Sequence, residues 1–186
     1  MTSISRLLPR RRLLQGGIAL LAGAALPAAW AQGKSRDISW DDLVPQGWDP
    51  TASFLDLKGA ENLPDTDPRA QKLLERIREV WDNAPVVQQL EGRQGRIPGY
   101  LVPLEQGKDG LREFLLVPYF GACIHTPPPP ANQIVRVRAD KPVKGLRTMD
   151  AVWVTGTMHI ERSDSSMGVS GYAMSAERVV KYPQAR

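Results

Sequence analysis

At Pro85 the apolar residues change their spacing from the helical repeat of about 3.6 to the strand repeat of about 2. That switch restricts the chain to a short helical part followed by a β domain. Before it, Asp67-Pro68 supplies a cap and a first-turn proline. Leu73, Leu74, Ile77, Val80 and Trp81 then recur with Arg69, Lys72, Glu75, Arg76 and Arg78 between them, which predicts one helix over 68–82. After it, strands are predicted at 96–104, 111–117, 134–138, 151–161 and 169–182, with turns at 107–110 and 163–168. Val135 and Val137 fall on one face of their strand while Arg136 and Arg138 fall on the other. The fourth strand alternates in the same way. Val152, Val154, Gly156, Met158 and Ile160 share one face, and Trp153, Thr155, Thr157, His159 and Glu161 share the opposite one. The expected fold class is therefore mainly β with an N-terminal helix (α+β): an OB-fold-like five-stranded antiparallel barrel, with a β-sandwich as the alternative.

The stretch ahead of the helix is punctuated by glycine, proline and aspartate. Ile38 to Pro45 reads as a short helical turn that Ser39 can cap, that Asp41 and Asp42 suit electrostatically, and that Pro45 stops. Trp48, Phe54 and Leu57 are the expected anchors between this turn and the helix, so residues 32–66 are read as a wrapping arm and 67–186 as the helix plus barrel domain.

Residues 1–31 read as an export signal. Arg6, Arg10, Arg11 and Arg12 form a basic region, Gly16 to Pro27 an apolar one, and Ala29-Trp30-Ala31 fits a small-x-small cleavage site before Gln32. Arg10-Arg11-Arg12-Leu13-Leu14-Gln15 resembles a twin-arginine signal, and an ordinary Sec signal is the alternative; either route leads to the periplasm. The apolar run is shorter than the roughly 20 residues of a bilayer span, so no stable membrane anchor is expected after cleavage. Of the chain's 24 basic and 20 acidic residues, four arginines and no acid lie in this leader, which leaves the remainder electrically balanced. A neutral chain lacks the electrostatic footprint of a nucleic-acid binder. With its single cysteine, it also cannot form an internal disulfide.

Four segments carry a family resemblance: Ile38-Ser39-Trp40-Asp41-Asp42-Leu43-Val44-Pro45, Ile97-Pro98-Gly99-Tyr100-Leu101-Val102-Pro103-Leu104, Phe114-Leu115-Leu116-Val117-Pro118-Tyr119, and the Cys-x-His-x-Pro-Pro-Pro-Pro-x-Asn-Gln block from Cys123 to Gln133. Ser170-Gly171-Tyr172-Ala173-Met174 fits as well. On these residues the chain resembles DUF3299, a family of exported bacterial proteins of unknown function. The resemblance implies a soluble or lipid-anchored envelope protein, some of whose relatives are encoded near ABC-transporter components. No lipobox cysteine follows this leader, so lipid anchoring does not carry over.

The block from Cys123 to Gln133 is the chemically distinctive part. Four prolines stiffen the backbone beside a thiol and an imidazole two residues apart, so little freedom is lost on binding. Thiolate and imidazole favour zinc, or copper second, over calcium or magnesium. Cys123 and His125 are therefore the expected metal ligands, with His159 as the third, and Met149, Met158, Met167 and Met174 as thioethers open to Cu(I). The competing reading has Cys123 simply packed and the polyproline loop docked onto a partner, an ABC-transporter component or another envelope protein. No oxyanion-hole motif, Cys-x-x-Cys pair or phosphate loop is present in the sequence, so a non-enzymatic accessory role is expected ahead of cysteine-dependent catalysis.

Overall fold

The computed structural model describes residues 36–64, 66–105, 109–123 and 128–183. The leader, its cleavage position and His125 lie outside the described residues. Residues 33–186 form one compact unit. One α-helix, α1 (Pro68–Asp82), precedes five strands: β1 (Gln94–Pro103), β2 (Leu111–Val117), β3 (Val135–Val143), β4 (Ala151–Ser165) and β5 (Gly168–Lys181). The protein is thus mainly β, built on one five-stranded sheet.

The strand order is β1-β2-β3-β5-β4, and β4 pairs back onto β1, so every strand has two hydrogen-bonded neighbours. Four pairings are antiparallel. The fifth, β3 with β5, is parallel, with Val135 opposite Tyr172 and Val137 opposite Met174. This corrects the expectation of a wholly antiparallel sheet, and the reason is parity. Directions cannot alternate all the way around a ring with an odd number of strands, so at least one adjacent pair must run the same way.

The inward faces are those that the alternation marks. Val135, Val137, Val152, Val154 and Met158 are fully buried in the main core with Phe114, Leu101 and Ile97. On the wet face, Arg136 donates to Glu113 at 2.6 Å and to the Ser163 hydroxyl at 2.6 Å, while Arg138 pairs with Glu161. Gly156 sits where β4 changes register against β5, between Thr155 and Gly156. A side chain there would run into the Ser175 carbonyl and the Ala176 Cα, so only glycine lets the two backbones come this close.

Helix α1 starts as its sequence dictates, with the Asp67 carboxylate accepting from the Arg69 N–H at 2.8 Å and Pro68 in the first turn. It buries Ala70 and Leu73, the latter in a small cluster with Phe54, Leu63 and Ile77, so Phe54 does anchor the arm. The deeper anchors are two residues the spacing does not single out, Ile38 and Leu43, both buried in the main core. Asp37 bridges to Arg96 of β1, and the Ile38 N–H donates to the Arg96 carbonyl at 2.8 Å. Between these anchors the expected helical turn is a 3-10 turn, Asp41–Leu43. Ser39 and Asp42 bond reciprocally across it: the Asp42 carboxylate accepts from the Ser39 N–H at 2.9 Å, and the Asp42 N–H donates to the Ser39 hydroxyl at 3.2 Å. That contact holds the Asp42 carboxyl below its ordinary pKa.

Tyr172 ties these parts together. Its ring is fully buried, its hydroxyl accepts from the Val87 N–H at 2.7 Å, and it donates to the Leu43 carbonyl at 2.8 Å. One phenol thus joins β5 to the arm and to the segment after α1. Tyr172→Phe keeps the ring and strands both backbone groups in the interior, so the expected loss is about 1–3 kcal/mol of unfolding free energy. Urea denaturation of the two proteins side by side measures it, and an unchanged midpoint would mean that the hydroxyl holds nothing together.

Candidate functional site

The segment after β2 has an inner and an outer side. On the inner side, Ala122 is buried and Cys123 packs partly buried against Val102, Leu115, Val117, Ala122 and Ile134. Met149 and Met167 pack against that same second cluster. Gly121 turns the chain at φ 85°, and its N–H donates to the Met149 sulfur at 3.2 Å. Cys123 itself sits at φ 64°, in the left-handed region that a side chain normally avoids. Burial pushes its thiol up to about 11. The adjacent Tyr119 hydroxyl is raised as well, by burial first and by Cys123 second. Among the described residues no cation acts on the thiol, and burial alone favours its neutral, poorly nucleophilic form.

The described part of the proline run packs inward after its exposed start. Pro128 is exposed, Pro129 is buried and Pro130 is half-buried. The amides that follow hold the loop to the body. The Asn132 amide donates to the Pro85 carbonyl at 3.0 Å, and the Gln133 amide donates to the Trp40 carbonyl at 2.9 Å. This is the tying role their chemistry suggests, although the buried Asn132 Oδ1 has no partner among the described residues.

Of the three expected metal ligands, His125 lies outside the described residues. His159 stands on the wet face of β4, with Nδ1 3.2 Å from Glu91 Oε1 and Nε2 3.1 Å from the Ser175 hydroxyl. Glu91 also accepts from the Ile160 N–H at 2.7 Å, and these bonds hold its carboxyl below the ordinary range, the Ile160 contact first. Both ring nitrogens of His159 are therefore engaged on the outside of the sheet, whereas Cys123 lies in the second apolar cluster. Among the described residues, no three His, Cys, Asp or Glu side chains form a group able to hold a metal ion.

On the outer side, Tyr119 and Phe120 open onto an aromatic surface. Phe120 is 67% exposed and meets the Tyr100 ring edge-on at 5.8 Å between centroids. Trp153 stacks on Tyr182 at 5.5 Å, and the Arg96 guanidinium lies 4.4 Å from the centre of the Trp153 ring. Trp40, whose indole N–H donates to the Pro98 carbonyl at 2.7 Å, completes the group. Trp40, Tyr100, Pro98, Pro118 and Tyr182 wall a cleft of about 230 Å³, with Gly99 and Ala151 and no ionisable carboxyl or amine in its lining. At Gly99 an added methyl would collide with Leu116 and the Val117 carbonyl, so the strand stays flush with its neighbour there. A second, larger cleft of about 640 Å³ runs between α1 and the β4–β5 hairpin, walled by Leu74, Ile77, Trp81, Val169 and Pro128.

Three of the chain's twelve aromatic residues wall this cleft and two more, Phe120 and Trp153, pack on those three, and the five come from the arm, β1, the segment after β2, β4 and the end of β5. Spacing does not reveal such a surface. The only local signal is Pro118-Tyr119-Phe120, two aromatics next to a proline at a strand end.

These features describe a small β module with a cleft walled by aromatic residues and, on the wet face of β4, a hydrogen-bonded array of Glu91, His159 and Ser175. Comparison with known proteins places the module in a family. The family profile described as a protein of unknown function, DUF3299, matches residues 40–181, and the chain belongs to that family. It is similar to the crystal structure of a DUF3299 family protein from Pseudomonas aeruginosa PAO1, with 39% sequence identity and a TM-score of 0.64, over 83% of this chain and 100% of that one. No curated protein matches the chain.

The thiol environment gives a direct expectation. A bulky disulfide reagent should modify Cys123 slowly in the folded protein at neutral pH, and faster as the pH climbs toward 11. The unfolded thiol ionises near its ordinary value of 9.0, so ionisation favours unfolding between about 9 and 11, and stability falls as the pH rises through that window. Stopped-flow absorbance of the released reagent thiolate checks the rate, and rapid modification at pH 7 without unfolding would contradict the packing described.

Proposed function

We propose that the chain is a non-enzymatic accessory module of the bacterial envelope that binds a protein partner through the aromatic surface around Phe120 and Tyr182. The observation that carries this reading is the pair of exposed rings, Phe120 at 67% and Tyr182 at 45%, beside a cleft with uncharged walls. Exposed tyrosine, tryptophan and phenylalanine are the side chains that dominate protein interfaces, because they bury much apolar area with few torsions to freeze. Every strand has two hydrogen-bonded neighbours, so no strand offers a wholly unpaired edge for strand addition. Recognition then falls to side chains.

The strand order with its single parallel pair supports an OB-like barrel over a sandwich as the scaffold. The leader supports export to the periplasm, with maturation before Gln32. No helix among the described residues is long and apolar enough to cross a membrane. An ABC-transporter component or another envelope protein is the proposed partner.

A photo-crosslinking residue placed at position 120 in cells should give a discrete protein adduct. The same residue at Leu55, which is similarly exposed at 71% on the arm, should give none. Tyr182→Ser should abolish the adduct while costing about 1 kcal/mol of stability, the loss of its stacking on Trp153, with the fold intact in thermal melts. Equal labelling from both positions, or none from either, rejects the surface. The export part has its own test. The protein recovered from the periplasmic fraction should have the intact mass of a chain beginning at Gln32, and Arg10→Lys together with Arg11→Lys should leave the precursor inside if the twin-arginine route is used. Full-length mass in the cell interior would reject export.

A further inference from the structure

Away from the aromatic cleft, the wet face of β4 and β5 holds three side chains in a line. The connection from α1 to β1 brings Glu91 to one side of the His159 ring, and β5 brings Ser175 to the other. His159 Nδ1 lies 3.2 Å from Glu91 Oε1, and Nε2 lies 3.1 Å from the Ser175 hydroxyl. The carboxylate is itself fixed, because its second oxygen accepts from the Ile160 N–H at 2.7 Å. An ionised carboxylate can only accept, so Nδ1 carries the proton of the neutral ring. Nε2 is left with its lone pair, and the Ser175 hydroxyl donates to it. Carboxylate, imidazole and hydroxyl therefore stand in the order, and with the hydrogen-bond polarity, that draws a proton from a serine as it attacks. We propose that Ser175 is an acyl-acceptor site that takes one acyl group from an activated ester or thioester, with His159 as general base and Glu91 as its positioning residue.

The step balances without a cofactor. Ser175 Oγ forms a bond to the acyl carbon, and the bond from that carbon to the phenolate or thiolate leaving group breaks. The hydroxyl proton passes to Nε2 and then to the leaving group, and no electron is transferred. Around the nucleophile, Thr157 is in register on β4, on the face that carries His159, so a second hydroxyl borders the site. Arg138 is in register on β3, but its guanidinium is committed to Glu161 and Glu113. The backbone of β5 here is engaged in the ladders to β3 and β4, so it supplies no preorganised pair of N–H groups for an oxyanion. That sets the class of donor. A phenolate or thiolate leaves readily from the tetrahedral adduct, whereas water must expel the far more basic serine alkoxide to release the acyl group. Acylation therefore outruns deacylation, and the product is an acyl-protein formed once per chain. Such a modification is compatible with a non-enzymatic role, and its residues take no part in the aromatic cleft.

The test treats the purified protein with p-nitrophenyl acetate. Absorbance follows the released p-nitrophenolate, intact mass counts the acetyl groups, and peptide mapping places them. A burst of one equivalent with a single acetyl group on Ser175 is expected. Ser175→Ala should abolish the burst, and His159→Gln should slow it about a hundredfold or more, the usual contribution of a positioned general base. Added imidazole should restore formation of acetyl-Ser175 in His159→Gly, which a purely structural role of the ring does not predict. Glu91→Gln should slow the burst about tenfold or more and move the His159 ring-nitrogen NMR signals away from the Nδ1–H tautomer. Thermal melts of the variants should match the parent, since all three side chains lie at the surface. Acetyl groups found only on lysines overturn the proposal. So does acetylation of Ser175 at an undiminished rate in His159→Gln, which would make it an ordinary surface hydroxyl.

Discussion

The close approach of β4 to β5 at Gly156 is the constraint on which the rest of the architecture depends. β4 must pair with β1 over Ala151–Thr157 and with β5 along nearly its whole length, and a flat strand cannot serve both. The register shift at Thr155/Gly156 bends it, and a missing side chain lets the backbones meet. Gly95 stands opposite Gly156 on β1, and a methyl there would strike the Ile38 side chain and the Arg36 carbonyl of the arm. Two facing glycines therefore permit two close contacts at once, the closing of the ring and the docking of the N-terminal arm over it. The Tyr172 hydroxyl then secures the arm from the other side.

Ring closure decides where function can reside. With every strand given two neighbours, backbone groups along the paired stretches are used within the sheet, and the inward side chains are used by the core. The connections remain. The link from β2 to β3 is long, running from Pro118 to Ile134, whereas β4 passes to β5 through a tight turn. Only the long connection has room to present one face inward and another outward, and it carries the cysteine and two exposed aromatics. On the wet face between β2 and β4, by contrast, the charges satisfy one another: Glu113 is held below its ordinary pKa by Arg136 first and Arg138 after it, and Glu161 by Arg138.

Much of this fold is written locally. Helix α1 and β2 fall where capping and periodicity put them, and the inward valines of β3 and β4 follow from alternation alone. β3 runs on to Val143 because Leu111 pairs with that residue across a bulge. Ala139-Asp140-Lys141-Pro142 is polar and contains a proline, so nothing in its composition announces a strand. Ile38 and Leu43 give no signal of their depth because anchors in an irregular arm obey no period. Chemistry is legible at Cys123 as an unusual residue beside an unusual run, yet its neighbours are not. The Met149 sulfur and the rings of Trp40 and Tyr182 reach the segment only through the order in which strands pair, and that order is a global property.

Half-burial decides what the single thiol can do. Packing against aliphatic side chains desolvates Cys123, and the pKa of about 11 that results keeps the resting sulfur protonated. Oxidants and disulfides react with the thiolate, so the same contacts that fill the second apolar cluster also slow the chemistry of the one cysteine in the chain.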